Sequence, residues 1–197
     1  MTLRAALLLV DMQADFLERP GLAPPAHELT ACVATLLAEC RKVPITILHS
    51  QTLVRADGSD RMPHWKRNDT FICVEGTRGA QPPAALRPAS GEPVFRKRYY
   101  SAFGDPHLHD ALRSAAIDTL ILAGVYLHGC VRSTALDAYE RGLEVWVAAD
   151  AVGSNEPAHA QATHDWLDGR AATFLNSNVI LDRLRGAPVF RASEAPR

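Results

Sequence analysis

Asp11, Lys97 and Cys130 are three residues of this sequence whose types could act together in chemistry. Each lies at or shortly after the end of an apolar run that is typical of a buried strand. The carboxyl ends of parallel strands meet at one edge of a sheet, where ligands bind, so we expect the three side chains to gather there. A carboxylate can take a thiol proton, an ammonium can orient that carboxylate, and the sulfur can attack a carbonyl carbon. The set therefore predicts a nucleophilic cysteine, although Asp11 could instead cap a turn, Lys97 could end a solvated strand and Cys130 could be core packing.

The sequence around Cys130 favours the chemical interpretation. An apolar run at residues 120–123 leads into a turn flanked by Gly124 and Gly129, and Cys130 follows where we expect a helix to begin. Unpaired N–H groups and partial positive charge at a helix N-terminus stabilise a thiolate. We therefore expect the pKa of Cys130 to lie below its free value of about 8.5.

Strand-like apolar runs alternate with helical patterns along the chain, which predicts an α/β fold with a parallel sheet covered by helices on both faces. The predicted strands are residues 6–11, 45–49, 93–96, 119–123, 145–148 and 178–181. The predicted helices are residues 27–41, 106–115, 130–141 and 157–169. We expect one domain spanning residues 1–197.

Composition excludes several classes of protein. The 197 residues are 47% hydrophobic and 22% charged, with a formal net charge of -1, so nothing indicates a nucleic-acid partner. No apolar stretch approaches the roughly 20 residues that cross a bilayer, and Asp11 and Gln13 follow the N-terminal apolar run where a signal peptide would have a cleavage site. We expect a soluble protein with a small-molecule substrate.

Cysteine usage favours a reducing compartment, and we expect the cytoplasm. The four cysteines lack the spacing of a disulfide framework. Cys32 and Cys40 lie on a stripe of helical period, which indicates core packing for both.

Two segments lack regular periodicity. Residues 51–92 are rich in Pro, Gly, Arg and Asp, and loops of this length are usually functional. Their Arg61, His64 and Trp65 could roof a pocket, or Trp65 could simply anchor a solvated loop. The tail at residues 186–197 is expected to be flexible or docked on a partner.

Several blocks of the sequence resemble the isochorismatase-like cysteine hydrolases, in the order and spacing of that family. The matching blocks are Asp-Met-Gln-Ala-Asp-Phe at 11–16, Lys-Arg-Tyr-Tyr-Ser-Ala-Phe at 97–103, Gly-Val at 124–125 ahead of Cys-Val at 130–131, and 134–138 running to 149–151. The resemblance implies a three-layer α/β/α sandwich around a six-stranded parallel sheet, Rossmann-like. It also implies a catalytic triad of Asp11, Lys97 and Cys130, and a homodimer or homotetramer.

The same resemblance implies an oxyanion site. It predicts a cis peptide joining Val125 to Tyr126, which would help to aim backbone N–H groups, with that of Cys130, at the oxyanion. Nicotinamidases of the family hold a metal after the second strand, but this chain has His-Ser-Gln-Thr-Leu at 49–53 and offers no comparable ligands. The spacing of His49, Asp57 and His64 matches no zinc pattern, so we expect no metal and no cofactor.

Two reactions of the family compete. In the first, Cys130 cleaves a small amide, ureido or carbamoyl compound through a thioester. In the second, Asp11 protonates the vinyl ether of isochorismate and the sulfur is a bystander. A retained cysteine favours the first, while a non-catalytic member that binds a small molecule is a third alternative. The pocket residues that we expect are Phe16, Gln51, Arg61, Trp65 and Tyr126.

Overall fold

A computed structural model describes residues 3–186 and contains a sheet of six parallel strands. The strands are β1 (Ala5–Val10), β2 (Thr46–Thr52), β3 (Val94–Lys97), β4 (Thr119–Val125), β5 (Glu144–Gly153) and β6 (Thr173–Leu175). They lie in the order β3-β2-β1-β4-β5-β6, and every neighbouring pair is parallel. The order reverses between β1 and β4, which makes that crevice the switch point where α/β sheets bind ligands. The predicted fold class is confirmed.

Seven α-helices cover the sheet within residues 3–186. They are α1 (Ala14–Leu17), α2 (Ala26–Cys40), α3 (Pro63–Arg67), α4 (Pro106–Ser114), α5 (Arg132–Glu140), α6 (Pro157–Leu167) and α7 (Ser177–Leu184). Because side chains alternate along a strand, β1 is buried on both faces: Leu7 and Leu9 pack towards α2 and α7, whereas Leu8 packs towards α4, α5 and α6. Two apolar layers therefore cover the two faces of the sheet and hold in place the edge at which Asp11 lies.

The predicted strand at residues 178–181 is wrong. This segment lies inside α7, and the sixth strand is the short β6 just before it. Ile180, Leu181 and Leu184 all pack on the core side of α7, a helical spacing that a three-residue apolar run does not distinguish from a strand.

The buried side chain of Gln13 and the half-buried side chain of Asp15 hold the long connection between β2 and β3. Gln13 Nε2 donates to the carbonyls of Thr52 and Ala80 at 2.8 and 3.0 Å, and Asp15 Oδ2 accepts from the N–H of Cys73 at 2.6 Å. The connection is thus attached to the residues that follow β1, where Asp11 lies. The residues at 187–197, for which we expected a flexible or docked tail, lie outside the described range.

No helix within residues 3–186 is long and apolar enough to cross a membrane.

Candidate active site

Asp11, Lys97 and Cys130 meet at the carboxyl edge of the sheet, as expected from their positions after strands. Lys97 Nζ lies 2.6 Å from Asp11 Oδ2 and 3.3 Å from Cys130 Sγ. Relative exposures of 0% for Asp11, 1% for Lys97 and 6% for Cys130 place the group almost wholly out of water. The ammonium therefore bridges the carboxylate and the sulfur in a medium where charges interact strongly.

Each of the three residues is positioned by backbone geometry. Asp11 follows β1 with φ of 51°, in the left-handed region that few side chains other than Asn and Asp adopt, and its N–H donates to the carbonyl of Ser50 at 2.9 Å. Lys97 is the last residue of β3, and Cys130 lies in a π-helical turn, Leu127–Val131, that precedes α5. Such turns are frequent at functional sites.

Thr52 connects Asp11 to Lys97, a role that no pattern in the sequence indicates. Its N–H and its Oγ1–H both donate to Asp11 Oδ1, at 2.9 and 3.0 Å, while its Oγ1 accepts from Lys97 Nζ at 2.8 Å. Asp11 Oδ2 makes no such hydrogen bond and faces Lys97 instead. Thr52 therefore fixes one carboxylate oxygen, and the other faces the ammonium that also contacts the sulfur.

The charges of the site differ from the sequence-based expectation. Burial would lower the pKa of Lys97, but the Asp11 carboxylate and the Cys130 sulfur outweigh it and raise that pKa, so the ammonium persists. Burial raises the pKa of the Cys130 thiol to about 12, and the Asp11 charge adds to this rise against the opposing effect of Lys97. The expected lowering of the Cys130 pKa is wrong because Cys130 lies inside a buried turn rather than at an open helix N-terminus. A raised thiol pKa favours the protonated form of the sulfur before substrate binds.

The backbone before Cys130 contains two conformations that are rare in proteins. The peptide bond joining Val125 to Tyr126 is cis, and the carbonyl of Tyr126 accepts from the N–H groups of Gly129 and Val131 at 2.9 and 3.1 Å. Gly124 has φ of +123°, and a Cβ there would meet the carbonyl oxygen of Val10 at 2.1 Å. Only glycine fits this close approach of β4 to β1. The role of residues 125, 126 and 130 in holding an oxyanion stays a prediction.

A cavity of about 150 Å³ opens beside Cys130. Its aromatic walls include Phe16, Trp65 and Tyr126; the ring centroid of Phe16 lies 6.4 Å from that of Trp65 and 5.6 Å from that of Tyr126. Tyr126 donates its hydroxyl to the carbonyl of Phe16 at 2.6 Å, which fixes the ring. Three of the five expected pocket residues are therefore brought together around the thiol.

Gln51 and Arg61 are not among the residues that line this cavity. Gln51 lies on β2, while the Arg61 side chain binds within its own loop. It stacks over the ring of Phe71 at 3.6 Å and donates to the carbonyls of Gly58 and Thr70. The guanidinium is used in holding the loop, so the structure does not bring it to the thiol.

Sequence reasoning missed Arg19, His128 and Glu156, which also line the cavity. His128 Nδ1 lies 2.6 Å from Ser154 Oγ, and burial lowers the pKa of this imidazole. Arg19 follows the short α1, where no periodic pattern distinguishes a pocket residue from a surface one.

Within residues 3–186, no three His, Cys, Asp or Glu side chains are arranged to hold a metal ion. His49 instead lies 2.8 Å from Glu92, beside Arg41. A larger groove, of about 680 Å³, lies between α2 and residues 78–87 and contains none of Asp11, Lys97 and Cys130.

Comparison with known proteins agrees with this architecture. The isochorismatase domain family matches residues 5–178. The chain is 29% identical to the maleamate amidohydrolase of Pseudomonas putida over 92% of its own length and 87% of that protein. It is 28% identical to the isochorismatase of Bacillus subtilis over 94% of its own length and 59% of that longer protein. An isochorismatase family protein from Desulfovibrio vulgaris has a similar crystal structure, with a TM-score of 0.80 and 33% identity, over 92% of this chain and 98% of that one. The chain therefore belongs to the isochorismatase family and is a hydrolase.

Proposed function

We propose that this protein hydrolyses a carbon–nitrogen bond of a small amide, ureido or carbamoyl compound through a thioester on Cys130. The observation that carries the proposal is the asymmetry of Asp11. Thr52 fixes Oδ1 with two hydrogen bonds, and Oδ2 faces the ammonium that also contacts the sulfur. A base that is fixed in this way can take the thiol proton as the sulfur attacks.

In the first half of the reaction, Cys130 Sγ attacks the carbonyl carbon while its proton passes to Asp11 Oδ2. Lys97 stays protonated and stabilises the negative charge on sulfur as it develops. Backbone N–H groups of the turn at residues 126–130 hold the oxyanion. The Asp11 carboxyl then gives its proton to the departing nitrogen, so that ammonia or an amine leaves and a thioester remains.

In the second half, Asp11 takes a proton from water, and the resulting hydroxide attacks the thioester carbonyl. Collapse of the second tetrahedral intermediate breaks the carbon–sulfur bond, and the thiolate regains its proton from Asp11. The enzyme returns to its starting state with the acid released. Because burial raises the pKa of the thiol, we expect proton transfer and attack to be coupled once substrate is bound.

One observation favours a second candidate, the vinyl ether reaction. A protonated sulfur of raised pKa need not take part if a buried Asp11 carboxyl delivers a proton directly to carbon. The isochorismatase of Bacillus subtilis carries that activity in its name.

Product release by matched variants separates the two candidates. Ammonia or amine release is measured with a panel of small amides and carbamoyl compounds, and pyruvate release is measured with isochorismate. Amide chemistry predicts ammonia release that Cys130→Ala and Asp11→Asn both abolish. If Cys130→Ala retained full activity on isochorismate while Asp11→Asn lost it, the vinyl ether reaction would replace our proposal. Lack of turnover on both substrate classes would contradict both candidate reactions.

A further inference from the structure

Arg19 supplies a positive charge to the cavity that contains Cys130. Its side chain is half-buried and lines that cavity. Among residues 3–186, no carboxylate lies within 4.0 Å of its guanidinium, and the side chain makes no hydrogen bond there. Other arginines of this part of the chain are paired with carboxylates, among them Arg41 with Glu92, Arg78 with Glu18 and Arg96 with Glu75. Arg19 is thus a partly desolvated cation without a counter-ion in the described chain.

The aromatic walls make this charge favourable for an anionic ligand. Phe16, Trp65 and Tyr126 contribute aromatic surface to the cavity, and charge–charge attraction is stronger where such surface takes the place of water. Arg19 is close enough to Tyr126 for its charge to oppose the rise in the Tyr126 pKa that burial causes. Tyr126 nonetheless stays protonated and commits its hydroxyl to the carbonyl of Phe16, so it does not neutralise Arg19.

Glu156, the acidic residue that lines the cavity, already contacts two histidines. One of its oxygens lies 2.8 Å from His159 Nδ1, and the other lies 3.6 Å from His128 Nε2. Glu156 therefore has imidazole partners, whereas no carboxylate of residues 3–186 pairs with the guanidinium fork of Arg19, whose geometry matches that of a carboxylate.

We propose that Arg19 binds a carboxylate carried by the substrate, so that the enzyme acts on small amides that bear a negative charge. This inference rests on the proposed amide hydrolysis, since it assigns the far end of the molecule whose carbonyl Cys130 attacks. A cavity of about 150 Å³ is smaller than the roughly 300–1,000 Å³ of pockets that hold drug-sized ligands, so it fits a short molecule. The fitting class is therefore the monoamide of a short dicarboxylic acid, or a carbamoyl compound of similar size.

A binding measurement tests Arg19 without requiring turnover. The rate at which iodoacetamide, an uncharged reagent, alkylates Cys130 is followed by peptide mass mapping. It is measured in the presence of succinate or of succinamide, the uncharged analogue of succinate with a similar shape. We expect succinate to protect Cys130 more strongly than succinamide does. Arg19→Gln should raise the succinate concentration for half-protection about 10- to 100-fold, the range for losing a charge-assisted hydrogen bond, with little effect on succinamide.

Two further variants control the measurement. Arg19→Lys should retain part of the succinate protection, since it keeps the charge but not the fork. Arg113→Gln removes the same charge from an exposed position on α4 outside this cavity and should leave protection unchanged. Equal protection by succinate in wild type and Arg19→Gln, equal protection by both compounds in wild type, or no protection by either would overturn the inference.

Turnover separates this inference from the function on which it rests. Ammonia release from succinamate should show a higher kcat/KM than release from succinamide, and Arg19→Gln should remove most of that difference. If both amides were hydrolysed equally well, amide hydrolysis would stand and the role of Arg19 would fail. If succinate protection depended on Arg19 but no amide was hydrolysed, the cavity would bind carboxylates and the proposed function would fail.

Discussion

Asp11 presents its two carboxylate oxygens to different partners, and Thr52 is the residue that makes them different. Removing the Thr52 hydroxyl by Thr52→Val keeps the side-chain shape but deletes a hydrogen bond to Asp11 Oδ1 and an acceptor for Lys97 Nζ. One charge-assisted hydrogen bond is worth about 1.5–3 kcal/mol, so we expect kcat to fall about 10- to 100-fold with little change in KM.

Thr52→Ser is the matched control, because it retains the hydroxyl and should keep most of the activity. The pH dependence of kcat should shift in Thr52→Val and not in Thr52→Ser, an effect that a loss of packing alone would not produce. Wild-type kcat in a folded Thr52→Val enzyme would show that Thr52 does not position Asp11.

The protonation of Cys130 yields a second prediction at the same scale. Burial and the Asp11 carboxylate raise the thiol pKa, whereas Lys97 lowers it. The apparent pKa for alkylation of Cys130 should therefore lie above the ordinary value of about 8.5 in the wild type. It should fall in Asp11→Asn and rise further in Lys97→Met. A rise of this pKa in Asp11→Asn, or a fall in Lys97→Met, measured by alkylation rate against pH, would contradict this account of the site.

At the scale of elements, β4 delivers Cys130 only because Gly124 lets it approach β1. Gly124→Ala places a Cβ against the carbonyl of Val10 and demands φ of +123° from an L residue. We expect a loss of at least about 2 kcal/mol in the free energy of unfolding, measured by denaturant titration.

Gly142→Ala is the matched control for Gly124→Ala. Gly142 also has positive φ, at +81°, but nothing lies within 4 Å of a Cβ there. Its cost should stay near 1 kcal/mol, from backbone strain alone. Equal losses in the two variants would show that the contact with Val10 is unimportant.

A second prediction at this scale concerns Glu92, which ties the end of α2 to β2. Hydrogen bonds from Arg41 lower its pKa most, those from the N–H of Ala89 and from His49 add to the effect, and the value falls to about 2 from an ordinary 4.5. A carboxyl whose pKa is lower when folded stabilises the protein above its unfolded pKa. Discounted for solvent screening, we expect Glu92→Gln to cost about 1–2 kcal/mol near neutral pH.

The sign of the pH dependence follows from that shift. The difference in unfolding free energy between wild type and Glu92→Gln should be constant above about pH 4.5 and shrink as the pH falls towards about 2. Denaturant titrations of both proteins across this range measure it. A difference that stays the same at all pH values would mean that the Glu92 charge contributes nothing.

At the scale of the whole molecule, the sheet and the meeting of Asp11, Lys97 and Cys130 could be predicted from the sequence. Strand periodicity is local, and parallel strands bring their carboxyl ends together whatever the loops do. Residues that depend on loop conformation could not be predicted. Arg19 follows a four-residue helix, which is too short to show a periodic pattern. Arg61 is expected in the pocket, but its guanidinium stacks over Phe71 within its own loop.

Burial also depends on the assembled molecule, which is why the expected lowering of the Cys130 pKa is wrong. Position after a strand and before a helix indicated a lowered thiol pKa. The completed fold surrounds the sulfur with β4, the π-helical turn and a carboxylate, and desolvation outweighs the nearby ammonium. The residues next to a cysteine in the sequence do not show how many atoms of the folded protein will pack around its side chain.

The central claim, a thioester on Cys130, is tested most directly by quenching the enzyme rapidly during turnover of an amide that it hydrolyses and weighing the Cys130 peptide. The account predicts an added mass equal to that of the substrate less ammonia, or less the departing amine. It also predicts that Cys130→Ala neither carries this adduct nor releases the product. An unmodified Cys130 peptide throughout turnover, with ammonia or amine still released by Cys130→Ala, would contradict it.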